Sequence, residues 1–125
     1  MTDYRHERRQ KFFQQIFAAT FTDANLELAR QDASRPTLAK LIGAIPDLDA
    51  EIQTAAPERP LKDINKVDLA ILRMTIFESR EKKTPKKVLI NEAIELAKEF
   101  GTESSPKFIN GALAKLLLDP QTENE

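Results

Sequence analysis

Apolar residues recur at helical spacing near the start of the chain. In RRQKFFQQIFAATF, residues 8–21, the apolar positions 12, 13, 16, 17 and 21 share one side of a helix, and Arg9, Gln14 and Gln15 fall outside that stripe. The spacing therefore predicts an amphipathic first helix.

Two shorter helical patterns follow the first helix. Asp23 belongs to the residue types that cap helix N-termini, and a weak apolar pattern behind it predicts a second helix. Apolar residues follow helical spacing again over residues 37–55. Gly43 weakens a helix in this stretch, and Pro46 should kink or end it, because proline lacks the backbone N–H and clashes with the preceding turn.

The segment KDINKVDLAILRMTIFESR, residues 62–80, is apolar on more than one side. A helix of this kind belongs in the middle of a domain, so the segment is predicted to organise the core. Its charged residues Arg73 and Glu78 should reach the rim or a partner, since an unpaired buried charge is costly.

Two well-marked helices end the pattern. Thr84-Pro85 is predicted to supply an N-cap and a first-turn proline, and Gly101 a left-handed C-cap. Ser105-Pro106 repeats the start signal for a last helix, which stops at Asp119-Pro120.

The whole pattern predicts an all-α fold. Sustained strand alternation, fixed-period repeats and long low-complexity linkers are absent from the sequence, and 125 residues suit one domain. We therefore expect a single-domain bundle of about six to seven helices over residues 1–118. Residues 119–125 are expected to form a flexible acidic tail.

Composition excludes several classes of protein. The chain has no cysteine, which removes disulfides, thiolate nucleophiles and cysteine-based zinc sites. Neither terminus carries an apolar run that resembles a signal peptide or a membrane span. The expected protein is soluble and cytoplasmic, with no membrane association.

Catalytic patterns are weak. His6 is the only histidine, so a serine-histidine relay or a histidine-rich metal site would depend on one residue in a charged segment. The three glycines are too dispersed for a phosphate-binding or dinucleotide-binding loop. We expect no enzyme, no metal and no cofactor.

The basic residues are the better candidates for function. Arg5, Arg8 and Arg9 precede the aromatic first helix, and arginine can both neutralise phosphate and stack on bases, which suits single-stranded RNA. Such arginines are also common as a solvated helix start, and the net charge of −1 gives no overall preference. A second basic cluster at residues 80–87, which includes Lys87, either extends the same positive surface or forms an ordinary solvated loop.

The ordered series LRMTIFE, INEAIELAK and KFING closely resembles the NusB family of transcription antitermination factors. The resemblance is strong over residues 64–117, moderate over the first helix and poor over residues 22–60. It implies an all-helical RNA-binding protein that pairs with the ribosomal protein NusE in the RNA polymerase antitermination complex. It also implies binding to boxA-type single-stranded RNA in nascent transcripts, notably ribosomal RNA precursors.

The stretch GTESSPKFINGAL, residues 101–113, has both a structural and a functional interpretation. Free amides at a helix start attract phosphate, Lys107 adds charge, and Phe108 offers a stacking face if it is exposed. Periodicity alone favours core packing for Phe108, whereas the resemblance implies contact with RNA. The residues expected to contact RNA are therefore Arg5, Arg8, Arg9, Lys87, Lys107 and Phe108.

The chain departs from the family at several RNA-side positions. Arg5 and Arg9 match the basic motif of the family, but His6 and Glu7 stand where it often has further arginines. This difference predicts a weaker RNA surface with lower salt sensitivity. Ser104 replaces a common aspartate and removes a negative charge, which would partly offset the missing arginines.

On the partner side, the resemblance assigns NusE contact to two residues. Phe17 matches a position that is often tyrosine, so any hydrogen bond from the tyrosine hydroxyl is lost. Asp68 matches a position that is often glutamate, so its shorter side chain has less reach. The alternative function is a helical protein-interaction module that has lost RNA binding, which the near-neutral charge and the substituted arginines would also fit.

Overall fold

The computed structural model describes residues 4–118, which form seven α-helices and one short 3₁₀ helix and contain no strand. The α-helices are α1 (Tyr4–Ala19), α2 (Asp23–Gln31), α3 (Pro36–Gly43), α4 (Ile45–Ala55), α5 (Lys66–Glu81), α6 (Lys86–Phe100) and α7 (Ser105–Leu118), and the 3₁₀ helix is Leu61–Asp63. The predicted all-α bundle is confirmed. The predicted acidic tail at residues 119–125 lies outside the described residues. Within the described part of the chain, no helix is both long and apolar enough to cross a bilayer.

Helix α5 lies at the centre of the bundle, as its apolar sequence predicts. It packs against α1, α3, α4, α6 and α7. Ala70, Ile71 and Leu72 have no exposed surface, and Met74 and Ile76 are nearly as buried. Burial of each large apolar side chain contributes about 1.5–3 kcal/mol relative to exposure, so α5 is the main organiser of the core.

Arg73 and Glu78 of α5 both reach partners, as expected. Arg73 donates from Nε and Nη2 to the two carboxylate oxygens of Asp49 on α4, each at 2.8 Å. Glu78 accepts a similar pair of hydrogen bonds from Arg9 on α1. Bidentate ion pairs of this kind offset the cost of placing charged groups among apolar residues.

The break at Pro46 is confirmed, and the cap of α2 lies one residue earlier than predicted. Helix α3 ends at Gly43, and α4 begins with Pro46 in its first turn. The N-cap of α2 is Thr22, whose side chain accepts a hydrogen bond from the Asn25 N–H at 3.1 Å. Asp23 is therefore the first helical residue rather than the cap.

The predicted Thr84 cap of α6 is wrong. Pro85 has extended backbone (φ −56°, ψ 137°) and occupies the N-cap position itself, so the helix begins at Lys86. The Thr84 hydroxyl instead donates to Oε2 of Glu78 at 3.4 Å. A carboxylate from another helix has replaced the local backbone amides as its partner.

The predicted left-handed conformation of Gly101 is also wrong. Gly101 is extended, with φ −92° and ψ −166°. Glycine is required here by space: a Cβ atom would lie 2.5 Å from Oγ of Ser105 and 2.8 Å from the backbone oxygen of Ala97. The corner between α6 and α7 is closed by direct contact between the two helices.

Ser105 does not cap α7 in the predicted way. It is the first residue of α7, it is fully buried, and its Oγ accepts a hydrogen bond from the Thr102 N–H at 2.9 Å. The backbone oxygen of Ser104 accepts the first helical bond, from the Phe108 N–H at 3.2 Å. The Ser105 side chain therefore stabilises the corner that precedes the helix.

Candidate nucleic-acid interface

The first turns of α1 present two of the predicted RNA-binding arginines at the surface. Arg5 and Arg8 are both exposed. The guanidinium carbon of Arg8 lies 5.6 Å from the ring centroid of Tyr4, which is itself largely exposed. This end of α1 offers positive charge and an aromatic face to solvent.

Arg9 is bound to carboxylates of other helices. Its Nε donates to Oε1 of Glu78 at 3.1 Å, its Nη2 donates to Oε2 at 2.6 Å, and Nη1 lies 4.0 Å from Glu92. Its side chain is only 15% exposed. In this structure Arg9 attaches α1 to α5, and its predicted RNA contact stays a prediction.

His6 bridges two carboxylates of α6. Its Nδ1 and Nε2 lie 2.6 Å from Glu92 and Glu99 respectively, and its side chain is 19% exposed. Gln10 also donates to Glu99. The hydrogen bond with Glu92 is the largest influence that raises the pKa of His6, Glu99 raises it further, and partial burial opposes them. The imidazolium form, with a donor on each nitrogen, suits this site best.

The His6 bridge predicts pH-dependent stability. The pKa of His6 is raised above its ordinary value in the folded protein, so its stabilisation is complete below pH 6.5 and is lost as pH rises through the folded pKa. We expect the free energy of unfolding of the wild type to exceed that of His6→Gln by more at pH 6 than at pH 9. Urea unfolding of both proteins at the two pH values measures this, and a difference that does not vary with pH would rule out the charged bridge.

The start of α7 carries the other RNA-binding candidates. Lys107 is exposed in the first turn. Phe108 is partly buried and packs against the core, as periodicity predicts, and its contact with RNA stays a prediction. The guanidinium carbon of Arg59 lies 4.6 Å from the centroid of the Phe108 ring. Arg59 received no role from the sequence.

The two predicted partner residues have different surroundings. Phe17 is partly buried and lies between Phe13 and Phe21 in an aromatic row, with ring centroids 6.2 and 5.7 Å away. Asp68 is only 4% exposed, and its Oδ1 has no hydrogen-bond partner. Burial raises the pKa of Asp68, while interaction with the Ser105 hydroxyl and the positive charge of Arg59 oppose that rise.

The exposed end of the aromatic row is Phe21, which the sequence pattern had placed on the apolar stripe. Its side chain is 52% exposed, and Nζ of Lys66 lies 4.5 Å from its ring centroid while donating to its backbone oxygen at 3.0 Å. The periodicity of α1 continued through residue 21, but the helix ends at Ala19. The chain turns there, which leaves this ring at the surface.

The structure brings some candidates together and leaves others apart. Contacts from His6 and Arg9 place the basic end of α1 alongside α6. Lys87 is exposed in the first turn of α6, at the opposite end of that helix from the corner that leads into Lys107 and Phe108. The ring of Phe108 contacts Arg59, from the turn after α4, and Phe108 also packs against the core. Within residues 4–118, no group of three acidic or histidine side chains is arranged to hold a metal ion.

The NusB family profile matches residues 2–117. A transcription antitermination protein NusB from Lysinibacillus sphaericus is 35% identical over 120 residues, covering 89% of this chain and 94% of that protein. A NusB from Roseiflexus castenholzii is 47% identical over 73 residues, covering 56% of this chain and 51% of that protein.

The extent of these matches differs. The matched segments span only about half the length of the Roseiflexus protein and of the Chloroflexus aggregans NusB, at 51% and 54%. Among solved structures, T. maritima NusB superposes with a TM-score of 0.75 at 28% identity and covers 99% of both chains.

Proposed function

The chain belongs to the NusB family, and on this premise we propose that it is a transcription antitermination factor. It binds boxA-type single-stranded RNA in nascent ribosomal RNA transcripts, together with the ribosomal protein NusE. It acts within the RNA polymerase antitermination complex, in the cytoplasm, and catalyses no reaction. Its affinity comes from electrostatic contacts, limited stacking and the enlarged surface that the partner supplies.

The observation that carries this proposal is the way α1 is held. His6 and Arg9 attach the basic turns of α1 to carboxylates on α5 and α6, while Arg5 and Arg8 remain exposed. A fixed helix that presents arginines loses little conformational freedom when they meet phosphates, so more of each electrostatic contact appears as affinity.

The start of α7 supports the same proposal. Pro106 has no N–H, and the N–H groups of Ser105 and Phe108 donate to the backbone oxygens of Thr102 and Ser104. The helix dipole and the charge of Lys107 are therefore what favour an anion at this position. Phe108 contributes an aromatic plane next to it, partly buried and therefore fixed in orientation. Lys87 adds a further exposed positive charge on α6. These features suit a single strand that contacts several helices in turn.

For the partner, we propose the aromatic row at the end of α1. Phe17 and the exposed Phe21 offer an apolar surface, and Lys66 adds a charge at its edge. Asp68 is the second proposed NusE contact. Because Asp68 is buried close to the positive charge of Arg59, a partner would reach it only after a side-chain rearrangement.

A helical protein-interaction module without RNA binding is the second candidate function. Its specific support is the neutralisation of basic residues near the start of α1: Arg9 is paired with Glu78, and His6 lies between Glu92 and Glu99. In that case the exposed aromatic surface, rather than the arginines, would carry the function.

Fluorescence anisotropy separates the two candidates. A labelled boxA-type RNA and a scrambled RNA are titrated with the chain at two salt concentrations, with and without NusE. For an antitermination factor we expect preference for boxA, tighter binding with NusE, and a log–log salt slope of about −3, since each phosphate contact with a single strand contributes about −0.7 and four exposed basic residues, Arg5, Arg8, Lys87 and Lys107, are proposed to make one. Binding of NusE with no RNA preference under any condition would favour the interaction module.

A further inference from the structure

The turn between α4 and the 3₁₀ helix places an exposed arginine next to the start of α7. The guanidinium carbon of Arg59 lies 4.6 Å from the centroid of the Phe108 ring, the distance of a cation–π stack. Arg59 lies in the part of the chain that resembles the family least. Neither the family resemblance nor the basic clusters had assigned it a role.

The backbone of this turn is held in place. The side-chain amide of Gln53 donates to the backbone oxygens of Ala56 and Arg59, each at 2.8 Å, and the Arg59 N–H donates to the Ala56 oxygen at 3.1 Å. Pro57 and Pro60 stand on either side of Arg59 and restrict the chain further. A turn fixed in this way gives the long arginine side chain a defined origin.

A buried carboxylate adds an attraction from the protein side. Asp68 is 4% exposed, its Oδ1 has no hydrogen-bond partner, and the positive charge of Arg59 is among the influences that stabilise its ionised form. The attraction is mutual, so Asp68 also favours the presence of Arg59 next to Phe108. The Phe108 ring is thus the contact that orients the guanidinium, and the charge of Asp68 adds an attraction, while Arg59 remains exposed.

The stack changes what a nucleic-acid base would meet at this position. The guanidinium lies over the ring of Phe108, and the rest of Phe108 packs on the core. A guanidinium is planar, stacks on bases and carries N–H donors that match phosphate oxygens. The group that faces an incoming strand is therefore the arginine, with the phenyl ring as its support.

We infer that Arg59 is an RNA-binding residue, whose guanidinium forms the middle layer of a stack made of the Phe108 ring, Arg59 and an RNA base. This inference rests on the proposed RNA-binding function and adds a residue to the same site. It also gives the poorly matching turn after α4 a role in that site.

The experiment measures the affinity of boxA-type RNA for Arg59→Gln and Arg59→Lys by anisotropy in the presence of NusE. We expect Arg59→Gln to weaken binding about tenfold, in the range of one lost stacking contact with a base. Arg59→Lys keeps the charge but loses the plane, so it should recover only part of that loss. Arg30→Gln is the matched control, because it removes the same charge from a 55% exposed side chain on α2 and should leave affinity unchanged.

A double-mutant cycle with Phe108→Leu tests the stack itself. Because the ring supports the guanidinium, we expect the double variant to lose less affinity than the product of the two single losses. Unchanged or tighter RNA binding by Arg59→Gln, or full affinity in Arg59→Lys, would overturn the inference and leave the proposed function standing. Loss of NusE binding with unchanged intrinsic RNA affinity would make Arg59 a partner residue instead. Absence of RNA binding by the wild type would overturn both proposals.

Discussion

Reversing the charges of Arg5 and Arg8 is expected to weaken boxA-type RNA binding about 100-fold, if each arginine supplies a phosphate contact worth about 1.4 kcal/mol. Both residues are exposed at the start of α1. Arg9 is left unchanged because its bidentate pair with Glu78 attaches α1 to α5, so its reversal would confuse loss of structure with loss of binding. RNA anisotropy of Arg5→Glu/Arg8→Glu checks the expectation.

The matched control is Arg30→Glu/Arg35→Glu. It makes the same change in net charge at two side chains that are 55% and 54% exposed, in a region that packs against the C-terminal half of α1 rather than its basic first turns. We expect this variant to lose less than threefold, through long-range electrostatics alone, and both variants to bind NusE as the wild type does. Equal losses in the two variants would mean that overall charge, not the α1 surface, governs RNA affinity.

Replacing Gly101 with alanine is expected to lower the free energy of unfolding by about 3 kcal/mol, the upper part of the range for overpacked sites. The added Cβ would lie 2.5 Å from Oγ of Ser105, 2.6 Å from its Cβ and 2.8 Å from the backbone oxygen of Ala97. Ser105 is fully buried and cannot move aside without losing its hydrogen bond from the Thr102 N–H. Urea unfolding monitored by circular dichroism measures the effect.

Gly111→Ala is the internal control for this substitution. A Cβ at residue 111 meets nothing within 4 Å, and the residue is exposed within α7. Alanine favours a helix over glycine by about 0.8–1.0 kcal/mol, so this variant should be more stable than the wild type. If Gly101→Ala were also stabilising, the tight corner between α6 and α7 would not be a feature of the folded protein.

The fold could be predicted because its main determinants are local. Apolar residues on more than one side of α5 predicted its central position, and the proline at 46 predicted the break between α3 and α4. The errors at Thr84 and Gly101 have a common cause. In both places the neighbouring helix, through Glu78 or Ser105, decides the local geometry, and such contacts are invisible in a sequence window.

The candidate site could be predicted only in part. The basic start of α1 was visible in the sequence as a cluster. The sequence did not show that Arg5 and Arg8 would be exposed while His6 and Arg9 attach α1 to carboxylates of α5 and α6. His6 meets Glu92 and Glu99, which lie 86 and 93 residues further along the chain. The contact between Arg59 and Phe108 likewise joins a turn and a helix that are distant in the sequence, so helical periodicity could not predict it.

Readthrough of a transcription terminator tests the central proposal most directly. A template with boxA upstream of a terminator is transcribed by RNA polymerase with NusE and the other components of the antitermination complex. We expect the wild-type chain to increase readthrough on this template and not on one with a scrambled boxA, and Arg5→Glu/Arg8→Glu to lose the increase. Readthrough that the wild type does not change, or that it raises equally on both templates, would contradict a boxA-dependent antitermination function.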